Sequence, residues 1–260
     1  MSRKRRTVAD EPFFLVRTST ADLGAGGVVA SHAHDWHQLV HVRSGLMTVR
    51  TVAGSWIAPP TWAIWVPART DHSIRFTGAS ALRTCYVRPD WDVSLPSGCT
   101  ALAVSPLLRE LIARATAVGM LDRRVPAEAA IAALIVGELC EPGPPPFALP
   151  EPTSPVTRHA ARLILDDAPS AAGTATLARA VGVGVRTLER RFQLETGMTL
   201  GRWRQQRMLL RGLERVAGGA SITAASASAG YGSPSAYIAA FKKAFGATPA
   251  RYFQAAEGIF

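Results

Sequence analysis

The chain has 260 residues, 48% of them hydrophobic and 18% charged, and a formal net charge of +10. That is enough chain for two domains, each with its own core, and no stretch approaches the ~20 apolar residues of a membrane span. Cys85, Cys99 and Cys140 are few, odd in number and irregularly spaced, which excludes a disulfide framework and a zinc ribbon and fits a reducing cytoplasm.

The positive charge is uneven. Residues 156–260 hold fourteen Lys/Arg against six Asp/Glu, residues 7–155 hold eleven against thirteen, and the run Arg3-Lys4-Arg5-Arg6 adds four more cations. A basic half joined to a near-neutral half is the footprint of a DNA-binding domain fused to something else. The opening residues 1–11 read as a solvated basic tail, and with no apolar run behind the charges they do not read as a signal peptide.

Residues 12–140 form the first expected domain. Short β-branched and aromatic runs at 13–17, 38–43, 46–52, 56–57, 63–66, 72–76 and 82–87 read as strands, with turns at Ser44-Gly45 and Pro59-Pro60, so a small antiparallel barrel is expected. Trp36, Trp56, Trp62 and Trp65 concentrate here as core or pocket lining. Within the barrel lies Gly26-x5-His32-x-His34-x3-Gln38-x6-Gly45, followed by Pro67-x4-His72. Strand alternation puts Gln38, Val40 and Val42 on one face and turns His37 and His41 outward, while His32 and His34 share a strand face.

These two stretches resemble the two motifs of the cupin barrel, in which two histidines and a glutamate from the first motif and a histidine from the second hold a metal. The resemblance implies His32, His34, Gln38 and His72 as the metal or effector set, with one divalent transition metal as cofactor. Arg69 stands where that family usually has glycine and Phe76 where it has asparagine. Gln38 replaces the glutamate, so the donors carry no charge to offset a divalent ion. The histidines therefore hold a metal, or hydrogen-bond a carboxylate or hydroxyl ligand in a dry pocket, or satisfy polar groups of the core.

Residues 106–118 and 126–139 carry helical periodicity. One stripe is Leu107, Leu108, Leu111, Ile112 and Ala115, the other Ala130, Ile131, Leu134, Ile135 and Leu139. Residues 141–155 include seven prolines and no periodicity, so they read as an extended linker.

Residues 156–260 form the second expected domain, all-α, with two helix-turn-helix units. A first helix precedes Thr174–Gly182, a turn at Val183-Gly184 and a second helix of the unit, 185–192. A connecting helix of residues 199–215 buries Trp203, Leu210 and Leu213, and in it Gly212 is expected to cost up to ~1 kcal/mol against alanine. The other unit is Ile222–Tyr231, a turn at Gly232-Ser233, then 234–245, with Ser233 as N-cap and Pro234 at the first helical position. Tyr237, Phe241 and Phe245 recur every four residues as its buried stripe.

The run Gly230-Tyr231-x-Ser233-x3-Tyr237-x3-Phe241-Lys242-x2-Phe245-Gly246-x-Thr248-Pro249-x2-Tyr252 closely resembles the signature of AraC-type transcriptional regulators. The resemblance implies double-stranded promoter DNA as partner, a small-molecule effector, contact with RNA polymerase, and a homodimer; the helices beside the barrel either form its seam or pack on their own barrel. It assigns Arg186, Glu189 and Arg190 to base edges in the first unit and Pro234, Ser235 and Ala239 in the second. Thr187, Gln193, Ser233, Lys242 and Lys243 complete the candidate DNA-contacting set, the two lysines on phosphate. Arginine grips guanine with two hydrogen bonds and glutamate accepts from cytosine N4, whereas Ser235 and Ala239 offer little code. The expected class is α+β, a cupin-like barrel with two helices followed by an all-α reader. A metal-dependent cupin enzyme fused to the reader, and an effector-independent DNA-binding protein, are the competing functions.

Overall fold

A computed structural model describes residues 8–9, 11–91, 94–139, 148–166 and 173–254. Most of the expected basic tail, Cys140 and residues 141–147 of the expected linker lie outside the described residues. The chain divides into two compact units, one built on Met1–Thr51 and Trp56–Pro146, the other on Phe147–Arg251 with Val52–Ser55. No described helix is long and apolar enough to cross a membrane.

The first unit is antiparallel sheet with two helices. Its strands are β1 (Phe14–Leu23), β2 (Val28–His32), β3 (His37–Val42), β4 (Leu46–Thr51), β5 (Gly54–Ala58), β6 (Trp62–Val66), β7 (His72–Thr77), β8 (Ser80–Val87) and β9 (Thr100–Ala103); then come α1 (Pro106–Val118), β10 (Met120–Asp122) and α2 (Pro126–Leu139). One sheet has the order β10-β1-β8-β3-β6-β9, and the other carries the run β5-β4-β7-β2. Gly45 makes the β3–β4 turn at φ 84°, and a Cβ there would lie 2.1 Å from Ser80 Oγ, so only glycine fits.

Both faces of the larger sheet are covered. Leu39, Trp65, Cys85 and Leu102 share one core with Leu108, Ile112, Ala132 and Ile135 of the two helices. Gln38, Val40, Thr84 and Tyr86 alternate to the other face. This corrects the outward assignment of His37 and His41. His37 stacks on Trp65 with ring centroids 5.1 Å apart, and His41 is 3% exposed with its Nε2 donating to the Pro60 carbonyl at 2.9 Å. Burial pushes the His41 pKa down to about 4. The helical stripes also shift: α2 buries Ala132, Ile135, Val136 and Leu139, and leaves Leu134 half exposed.

The second unit holds β11 (Ala148–Pro150), α3 (Pro155–Asp166), α4 (Thr174–Ala180), α5 (Val185–Thr196), α6 (Leu200–Ala217), α7 (Ile222–Ser228), α8 (Pro234–Phe245) and the start of α9 (Pro249–Gln254). The short strand β11 interrupts the stretch expected to be structureless. Gly182 at φ 72° and Gly230 at φ 74° end the first helices of the two units in the same left-handed turn. The first helix-turn-helix packs Leu177, Leu188 and Phe192 against Trp203, which meets Phe192 edge-on at 5.5 Å and donates its Nε1 hydrogen to the Pro150 carbonyl at 2.9 Å. The carboxylate of Glu195 accepts from the N–H groups of Thr153 and Ser154 at 2.8 and 2.9 Å and from the Thr157 hydroxyl, capping α3.

The second helix-turn-helix is built on a ladder of Tyr237, Phe241 and Phe245, all buried. Tyr237 lies against α6, its hydroxyl donating to the Leu209 carbonyl at 3.1 Å. A Cβ on Gly212 would come within 2.5 Å of that ring. Gly212 is thus a packing requirement, the reverse of the weak spot its helix propensity suggests.

Gly212→Ala should destabilise the protein by about 1–3 kcal/mol, overpacking outweighing the propensity gain; a raised denaturation midpoint would refute the packing argument. Arg69 has φ 61°, and its exposed pair with Asp35 at 3.4 Å contributes little. Arg69→Gly should then leave stability unchanged or raise it by up to ~1 kcal/mol, while Arg69→Val lowers it by about 1–2 kcal/mol; equal urea midpoints for the two variants would contradict this. For Glu195, burial pushes the pKa up, but the hydrogen bonds from Ser154, Thr157 and Thr153 outweigh it and hold the carboxyl down at about 2. A depressed folded pKa contributes stability above the ordinary value of 4.5, lost as pH falls toward 2. Melting temperatures at pH 7, 4 and 3 should therefore fall more steeply for the parent than for Glu195→Gln, and parallel profiles would exclude the effect.

Candidate functional site

The histidine cluster is assembled at one end of the β2–β7 pair. His32 closes β2, His72 opens β7, and they are direct cross-strand partners after an irregularity in register between Val29 and His32. His34 lies just past the end of β2 rather than on the strand, so the expected shared strand face is replaced by a loop that folds back over the cluster. Ring centroids are 4.4 Å apart for His32 and His72, 5.1 Å for His34 and His72, and 5.7 Å for His32 and His34. A ring nitrogen of each lies within 4.8 Å of those of the others.

All three rings are held by the same nitrogen. His32 Nδ1 sits 2.9 Å from the Ala30 carbonyl, His34 Nδ1 2.5 Å from that of Trp36, and His72 Nδ1 2.9 Å from that of Thr70. A carbonyl only accepts, so each Nδ1 carries the hydrogen, and in the neutral ring each Nε2 keeps a lone pair. His72 Nε2 is buried with no partner. Burial, above all, pushes the His72 pKa down to about 4 and lowers that of His34. Three imidazolium ions this close would repel strongly, whereas one divalent ion satisfies all three lone pairs.

Gln38 joins the cluster from β3. Its amide nitrogen donates to Thr84 Oγ1 at 3.0 Å, and Thr84 donates its own hydrogen to the Leu39 carbonyl at 3.0 Å. The threonine oxygen can only accept from Gln38, which fixes the amide: NH2 toward Thr84, oxygen toward His34. Gln38 Oε1 then faces His34 Nε2 at 3.0 Å, two acceptors in contact, an arrangement that a cation between them relieves. Tyr86 completes the surround, accepting from the Gln38 amide at 3.3 Å and meeting the His34 ring edge-on at 5.1 Å. Burial raises the Tyr86 pKa. The four residues expected from the sequence are thus brought together, and they fit a divalent transition metal bound by imidazole nitrogen and one amide oxygen. Thr84 and Tyr86 were not expected, because their link to the site depends on which strand pairs with β3.

In the second unit, α5 presents Arg186, Glu189, Arg190 and Gln193 on one exposed face opposite Leu188 and Phe192. Thr187 is partly buried. Gln193 donates its amide N–H to the Gly197 carbonyl at 3.0 Å, closing the end of α5. On α8, Ser235, Ala239 and Lys242 share an exposed face with Lys243 beside it, and Pro234 is partly buried. Ser233 Oγ accepts the Ala236 N–H at 3.2 Å, as an N-cap should. Arg191 and Leu194 are also exposed on α5, Leu194 to 78%, and sequence reasoning assigned neither.

A helix-turn-helix domain family matches residues 177–255. The HTH-type transcriptional regulator NimR of Escherichia coli (strain K12) is 28% identical over 221 residues, spanning 85% of this chain and 81% of that protein. Among solved structures, the C-terminal domain of AraT, a response regulator from Geobacillus stearothermophilus, covers 39% of this chain and 86% of its own at 22% identity, with a TM-score of 0.37. ToxT from Vibrio cholerae covers 99% of both chains at 11% identity, with a TM-score of 0.40. The signature of residues 230–252, the matched helix-turn-helix domain and the NimR relative agree with one another, and together they support an AraC-type transcriptional regulator.

Proposed function

We propose that this DNA-binding regulator reads base sequence chiefly through α5, and that its barrel controls when it does so by binding a divalent transition metal, alone or with a small-molecule effector. The observation that carries the barrel half is the common pinning of His32, His34 and His72 through Nδ1, which leaves three Nε2 lone pairs and the Gln38 oxygen at one place. When bound, such an ion supplies a fixed double positive charge and joins β2, β7 and the His34 loop.

For the reader, Arg186 and Arg190 have the reach and donor geometry for guanine O6 and N7, and Glu189 for cytosine N4. The small side chains of α8, with Lys242 and Lys243 alongside, suit phosphate contact and shape readout. Two tandem units address successive major-groove faces about one helical turn, ~34 Å, apart. In the same reading the protein acts as a homodimer, supported by half-exposed Leu107 and Leu134 on α1 and α2, and alters contact with RNA polymerase at the promoter.

Fluorescence anisotropy on DNA from upstream of its own gene tests both halves. Arg190→Ala should weaken binding about tenfold or more, and Ser235→Ala less than threefold; equal losses would refute the division of labour. Affinity should differ between Zn2+-supplemented and EDTA-treated protein, and His72→Ala should abolish that difference. Identical binding in all three states would refute control through the histidine cluster.

A further inference from the structure

The charge balance of the cluster names a class of effector, on the footing of the metal reading above. Three imidazoles and one amide are all neutral donors, so a divalent ion held by them keeps its double charge. Among the described residues no carboxylate joins the three histidines as a ligand. Asp35 is exposed and paired with Arg69 at 3.4 Å, and Asp71, next to His72 in the chain, is exposed and is not one of the grouped ligands. Arg17, the cross-strand partner of Tyr86 in the β1–β8 register, leaves this balance unchanged, because its Nε is paired with the buried Glu11 carboxylate at 3.1 Å.

One hydrogen-bond donor at this site is uncommitted. Tyr86 accepts from Gln38, yet its own O–H has no acceptor among the described residues. The ring lies against His34, so the hydroxyl stands beside the nitrogen and oxygen that face each other at 3.0 Å. His72 forms a buried floor, whereas His32 and His34 are partly exposed and leave an approach from solvent.

We infer that this site takes an anionic, oxygen-bearing small molecule of the carboxylate class, which neutralises the charge held by His32, His34, Gln38 and His72 and accepts the Tyr86 hydroxyl. A neutral sugar or alcohol could use the Tyr86 donor but would leave the double charge uncompensated; an anion answers both. The site therefore discriminates by charge first and by hydrogen bonding second.

The test uses the full chain loaded with Co2+, whose visible absorption reports its ligands. Acetate and benzoate are titrated against the neutral amides acetamide and benzamide. One Co2+ should bind per chain, and the bands should shift saturably with the carboxylates and stay unmoved by the amides at tenfold higher concentration. Tyr86→Phe should keep the Co2+ stoichiometry and raise the carboxylate dissociation constant about tenfold. Co2+ bound one to one with bands indifferent to carboxylate, or moved equally by the amides, would overturn the effector class and leave the metal reading standing. Unaltered carboxylate binding by Tyr86→Phe would overturn the role of the hydroxyl. Failure to take up Co2+ at all would remove both. The contrast between carboxylate and amide is read on the unsubstituted protein, so it holds whether or not Tyr86→Phe folds.

Discussion

Three backbone carbonyls decide what the barrel can do. Each of Ala30, Trp36 and Thr70 holds a histidine two residues away by Nδ1, and this local bond fixes tautomer and ring orientation together. An unpinned histidine would turn its Nδ1 or its Nε2 inward according to circumstance, and three such rings would specify no common point. Pinned rings cost no reordering when a ligand arrives, which is how second-shell bonds sharpen affinity. The Gln38 amide is held in the same manner one bond further out, through Thr84 and the Leu39 carbonyl. Orientation here comes from backbone and hydroxyl partners at each step.

The reader depends on a different constraint, the seating of two aromatic clusters along one helix. Trp203 near the start of α6 meets Phe192, and Gly212, nine residues on, receives Tyr237. The two halves of the reader share this scaffold and differ in what they present outward. The exposed face of α5 carries Arg186, Glu189 and Arg190, long side chains with several donors and acceptors. The corresponding face of α8 carries Ser235 and Ala239, which keep the fold and add little chemistry. On the reading proposed here, such a domain loses affinity through either unit and specificity mainly through one.

Much of this was legible in the chain itself, and the exceptions have definite causes. The helices α1 and α2 were read to the residue because Pro106, Gly119 and Pro126 punctuate them, and the spacing of Tyr237, Phe241 and Phe245 leaves no other periodicity. His41 was misplaced because alternation distinguishes the two faces of a strand without saying that both are covered; α1 and α2 bury the second face. Tyr86 and Thr84 were missed because they reach Gln38 through β3–β8 pairing from 48 and 46 positions away, a register that no local pattern encodes. Gly212 was misjudged for a similar reason. Propensity describes a helix alone, whereas the ring that requires the glycine comes from a helix 25 residues later. The short strands β2, β9, β10 and β11 have too few residues to show a period.

The replacement of a carboxylate by Gln38 is best understood as a matter of coupling. A set with glutamate in that place would offset part of the ion's charge from within the protein and would hold it whether or not an effector was present. A neutral set leaves the last part of the charge to be balanced from outside. On the reading proposed here, metal and anion then favour each other's binding, and by linkage each strengthens the other to the same degree. A regulator needs an effector that distinguishes two states of the protein, and a ligand with equal affinity for both shifts nothing. Coupling through charge makes the doubly occupied barrel distinct in free energy from the empty one, without requiring a large pocket. The same proposal gives a role to the hydrogen bond by which Thr84 holds the amide. An amide free to turn would present its NH2 to the ion and cancel the one favourable dipole that the site retains.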